Sequence, residues 1–68
     1  MVRARLHRMA SGHIVAVFKT DDVVDYTRVV GSSKDQIVPT AHWVKANFTV
    51  DQVAIRNSSG DTIWIILN

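Results

Sequence analysis

The sequence predicts an α+β domain: one helix on one face of an antiparallel sheet of about five strands, in the order β-β-β-α-β-β. Three observations carry this expectation. Eleven valines and six isoleucines stand against two leucines, and all six acids are aspartate. Branched side chains suit a pleated surface, whereas leucine and glutamate are commonest in helices. Apolar and polar residues alternate near both ends of the chain, each time around a turn that closes on glycine. Between these two hairpins, a single stretch carries helical spacing.

At the N-terminal end, Val2, Ala4 and Leu6 face one way and Arg3, Arg5 and His7 the other. Ala10-Ser11-Gly12 then leads into the apolar run from His13 to Phe18. A three-residue loop with Gly12 in the left-handed region pairs Leu6 with Ala16 and Ala4 with Phe18, which gathers every apolar residue of the hairpin onto one surface. A two-residue loop would put Phe18 beside Arg5. The second hairpin repeats the logic. With Gly60 closing Ser58-Ser59-Gly60, Ile55 faces Ile63 and Val53 faces Ile65; one residue of slip would mix the faces.

Between the hairpins, Thr20-Asp21-Asp22 reads as a turn. Residues 23–30 follow as a third strand, with five β-branched residues in eight. A short helix capped by Asp21 or Asp22 and stopped by Gly31 is the alternative. Ser33 and Gln36 have capping-box spacing for a helix over 34–46, whose buried stripe is Ile37, Ala41, Val44 and Phe48. Pro39, lacking an N–H, can delay the regular helix to its own position. Asn47 is a fitting stop, with strand resuming from Thr49.

This arrangement leaves one sheet face uncovered. Met9, Val15, Val17, Ala54, Trp64 and Ile66 lie opposite the helix, and no second helix exists to shield them. Either the sheet curls into a partial barrel, or Val15, Val17, Trp64 and Ile66 form a homodimer face.

Composition narrows the function classes. Sixty-eight residues make one domain spanning 1–68, and a chain of this size hides only about 60% of its unfolded surface. The net charge is +2, too mild to indicate nucleic acid alone. No cysteine is present, so disulfides are excluded and three histidines are poor material for zinc. Neither a membrane span nor a leader peptide is visible, so the expectation is a cytoplasmic protein, or one in host cytoplasm if phage-encoded, with no cofactor. There is no P-loop, GxGxxG, GxSxG or CxxC motif.

The charge is asymmetric. Residues 1–34 hold six cations and three acids; the remainder holds two and three. Arg3, Arg5 and His7, with Arg8 nearby, fit a surface that grips successive phosphates or an acidic partner. The competing structural reading is an edge strand that uses charge to discourage pairing. Trp43 sits about 120° from the buried helical stripe and, framed by His42 and Lys45, suits a partner anchor; alternatively its indole folds over the core edge. His7 and His13 on one side of the first hairpin resemble the acid/base pair of a small ribonuclease. Asp21, Asp22 and Asp25 lack the oxygen-rich spacing of a calcium loop, and turn duties account for the first two. The sequons at Asn47 and Asn57 read as chance.

In architecture the chain looks like compact phage-encoded or mobile-element proteins, some anti-CRISPR inhibitors among them, although no motif carries that likeness. The leading expectation is a non-enzymatic binding protein, an inhibitor or regulator. It would dock on a protein or nucleoprotein through Arg3, Arg5, His7, Arg8, Trp43 and Lys45. A nucleic-acid-binding regulator using the N-terminal strand is the alternative, and an RNase-like enzyme the remote one.

Overall fold

The computed structural model describes residues 1–56 and Gly60, together with the backbone of residues 62–65. The elements follow the expected order: β1 (Val2–Arg8), β2 (Ile14–Thr20), β3 (Val23–Gly31), α1 (Ile37–Asn47), β4 (Gln52–Arg56) and β5 (Thr62–Ile65). Residues 23–31 are strand rather than short helix. Ile66, the side chain of Trp64 and the turn residues Asn57, Ser58 and Ser59 lie outside the described residues.

Both hairpin registers match the alternation. Leu6 pairs with Ala16 and Ala4 with Phe18; Ile55 pairs with Ile63 and Val53 with Ile65. Gly12 and Gly60 take φ of 92° and 90°, the left-handed conformation that closes a three-residue loop. In the first loop the Gly12 N–H donates to Met9 O at 2.9 Å, and the Met9 N–H to His13 O at 2.8 Å. At the β2–β3 turn, Asp21 and Asp22 have φ of 50° and 67°. Two consecutive left-handed residues match the twist of a two-residue hairpin loop, and aspartate tolerates that region better than most side chains.

The sheet corrects one expectation. Its order is β3-β2-β1-β4-β5, and β1 pairs with β4 in parallel, Arg3 opposite Gln52 and Leu6 opposite Ile55. It is therefore mixed, not purely antiparallel. An eleven-residue helix spans roughly 16 Å and returns the chain to the end of the sheet where β3 began. The next strand must then run in the direction of β3, and hence of β1. The sheet is also open, not a partial barrel: β3 and β5 are its two edges.

Large and small residues alternate across the helix-covered face. Phe18, Ala4 and Val53 make one row, and Ala16, Leu6 and Ile55 the next. Ala41 and Val44 of α1 press onto them, with Val50 and Ile14, and all belong to one buried cluster. Ala4 beside Phe18 and Ala16 beside Leu6 leave room for the larger side chain of each pair to fill.

The helix begins later than the capping-box spacing suggests. Gln36 is its N-cap, in extended conformation and without a side-chain cap. Pro39, now third in the helix, sets this limit, because its ring would collide with the Asp35 carbonyl if residue 35 were helical. Ser32 and Asp35 form a turn of their own instead: Asp35 Oδ2 accepts from the Ser32 N–H at 2.6 Å and from Ser32 Oγ at 3.1 Å. At the other end, Phe48 is the extended C-cap, and Asn47 Nδ2 donates to Trp43 O at 2.8 Å. Strand resumes at Gln52 rather than Thr49, since Val50 turns inward to the core.

Candidate docking face on the sheet

Register assigns the sheet face away from α1. The side chains of β1 alternate, with Ala4 and Leu6 fully buried beneath the helix, so Arg3, Arg5 and His7 stand on the other side. Cross-strand pairing adds Lys19 opposite Arg3, Val17 opposite Arg5 and Val15 opposite His7. On the β4 side, Gln52 lies beside Arg3 and Ala54 beside Arg5. Arg56, two residues beyond Ala54, shares this face.

Of the described aspartates, only Asp22 approaches this array; the others accept hydrogen bonds elsewhere. Asp21 Oδ1 accepts from the Met1 amine at 2.7 Å. Asp51 Oδ2 accepts from the Val2 N–H at 2.8 Å, and Asp25 accepts from Thr20 Oγ1. Asp22, itself in solvent, approaches the partly buried Arg3 at 3.9 Å, and Arg3 Nε donates to Met1 Sδ at 3.3 Å. The Met1 amine holds the Asp21 carboxyl below its ordinary pKa by hydrogen bond and charge. The Ser32 backbone N–H and hydroxyl do the same for Asp35.

Two features distinguish the cationic face from incidental surface charge. First, β1 is the middle strand of the sheet. Its arginines therefore cannot be edge protection, which overturns that reading of the N-terminal segment. Second, Arg3 and Lys19 face one another directly, and like charges so placed destabilise a sheet. Arg5 stands exposed between Val17 and Ala54, neither of which reaches its guanidinium level.

The remaining sequence candidates fall elsewhere. Arg8 shares the helix side of β1 and ties two loops together, donating to Gly12 O at 2.6 Å and to Asp35 O at 2.7 Å. Lys45 Nζ donates to Val50 O at 2.5 Å, fastening the end of α1 to the loop before β4. Trp43 is on α1, half exposed, with its ring edge-on to Phe48 at 5.8 Å. It lies across the sheet from Arg5, so the fold does not unite it with the cationic face. Of the apolar candidates for that face, Val15 is buried and Val17 half-buried. Exposed apolar side chains concentrate instead on β3, where Val23, Val24, Tyr26 and Val29 are 48–67% exposed. The five β-branched residues in eight signalled that strand; nothing in the pattern signalled its edge position.

His7 and His13 do share a face, but His13 Nδ1 is hydrogen-bonded to Ser11 Oγ at 2.9 Å. Among the described residues, no three His or Asp side chains converge to hold a metal ion. No helix among them is long and apolar enough to cross a membrane. No protein-family model matches the chain, and neither a curated protein nor a solved structure matches it.

Proposed function

We propose that this chain is a non-enzymatic docking protein whose helix-free sheet face receives an acidic surface of a protein or nucleoprotein. The observation that carries the reading is the Arg3–Lys19 pair, placed directly across adjacent strands beside Arg5. A like-charge pair costs stability in the free protein, and an anionic partner removes that cost on binding. Guanidinium groups on a central strand also match carboxylates bidentately, from a backbone already fixed by pairing on both sides.

A second reading follows from spacing. Alternate residues on β1 rise about 6.7 Å per pair, which suits a run of phosphates on single-stranded nucleic acid as well as a row of carboxylates. Titration with a poly-glutamate peptide and, separately, with a single-stranded oligonucleotide distinguishes the two, followed by backbone amide shifts at low salt. The docking reading expects shifts at Arg3, Arg5, His7 and Lys19 with the peptide. Shifts with the oligonucleotide alone favour the nucleic-acid reading, and shifts confined to α1 overturn both.

A further inference from the structure

We infer that β3 is a self-recognition edge, through which two copies of this chain pair antiparallel to form one continuous sheet. Among the described residues the strand is bonded on one side, to β2, and its other side is an edge of the sheet. Nine residues long, it presents Val23, Val24 and Val29 largely in solvent and Tyr26 half exposed. An edge of this length and composition is a template for another strand.

The register identifies the occupant as a second copy. Lys19 pairs with Val24 and Phe18 with Tyr26, so Asp25 is an extra, bulged residue; a second irregularity leaves Val30 extra between Val29 and Gly31. In a bulge, two residues oppose one on the neighbouring strand. Now let two β3 strands meet antiparallel with Thr27 on the two-fold axis. Arg28 of each copy then opposes Tyr26 and the bulged Asp25 of the other, and Val24 opposes Val29. Faces agree throughout: Val24 and Val29 pair with Lys19 and Val15 on the helix-free side, while Tyr26 and Arg28 pair with Phe18 and Ala16 on the helix side.

Charge complementarity is thus built into one strand, twice over by symmetry. Neither Asp25 nor Arg28 forms a salt bridge within the chain among the described residues. Arg28 lies over the Phe48 ring at 5.4 Å from its centroid. A charge and a bulge on an edge discourage pairing with an arbitrary strand. They favour the register in which the charge meets its opposite and the bulged Asp25 is matched.

Sedimentation over a concentration series, with circular dichroism confirming the fold of each variant, tests this. The native chain is expected to dimerise. Asp25→Arg and Arg28→Asp each place like charges across the axis, and each should raise the dimer dissociation constant about tenfold or more. An equimolar mixture of the two variants should recover association as a heterodimer, and the double variant should recover the homodimer. A native chain that remains monomeric at millimolar concentration overturns the inference. So does dimerisation that neither single variant weakens, since the contact would then lie elsewhere. The helix-free docking face does not enter this assay, so its failure would leave the proposed function standing.

Discussion

A Cβ built on Gly12 would lie 2.6 Å from the Cβ of Ser33, so the first hairpin loop and the segment before α1 close against each other with no room for a side chain. Gly12 therefore answers two demands, a left-handed φ and a close approach. Gly60 shares the φ, but among the described residues the nearest atom to a Cβ there is the Arg56 guanidinium at 3.9 Å. Gly60→Ala should cost about 1 kcal/mol from backbone conformation alone. Gly12→Ala should cost roughly 2–4 kcal/mol, because collision adds to it. Chemical denaturation checks both, and Ser33→Gly should recover part of the Gly12→Ala loss but none of the Gly60→Ala loss.

Arg8 and Lys45 should behave as structural ties. Each donates to main-chain carbonyl oxygens of a neighbouring loop. Arg8→Ala is expected to lower stability by about 1 kcal/mol while leaving affinity for an acidic peptide close to native. A peptide titration on the folded variant reads the second outcome; a large loss there would return Arg8 to the docking face.

The Ser32–Asp35 turn predicts a pH dependence. Hydrogen bonds from Ser32 hold the Asp35 carboxyl below its ordinary value of 3.8 in the folded chain. A folded-state pKa below the unfolded one adds stability above the unfolded value, and that stability is lost as pH falls through the folded pKa. Asp35→Asn should therefore flatten the acid limb of a stability–pH curve and leave its shape near neutrality unchanged. Denaturant midpoints from neutral pH downward measure it.

The core rows predict an asymmetry between filling and emptying. Phe18→Ala removes the largest fully buried side chain among the described residues and should cost about 3–5 kcal/mol, enough to unfold a domain of this size at ambient temperature. Ala4→Leu overfills the row between Phe18 and Val53 and should cost about 1–3 kcal/mol. Thermal melts rank the two.

The hairpin registers were legible from the sequence because strand side chains have a period of two, and a wrong loop length would set Phe18 beside Arg5. The parallel β1–β4 pairing was not, since it depends on where α1 delivers the chain rather than on any residue in β4. Ser33 and Gln36 satisfied a capping pattern that Pro39 overrode from further along. Arg3, Arg5 and His7 were legible as one face. That they occupy a central strand, with Lys19 directly across from Arg3, needed the strand order. For the same reason Trp43, which looks equally exposed in a helical projection, turned out to lie on the far side of the sheet.

On the docking proposal, the cationic face is kept for binding at a cost to stability. Lys19→Glu, with Lys34→Glu as a control of equal charge change, tests this most directly. Stability and affinity for a poly-glutamate peptide would be measured on both variants at physiological salt. Replacing Lys19 should relieve its opposition to Arg3 and raise stability by about 0.5–1 kcal/mol, while affinity falls about tenfold; Lys34→Glu should change neither by as much. Equal loss of affinity in both variants, or a less stable Lys19→Glu chain, would contradict it.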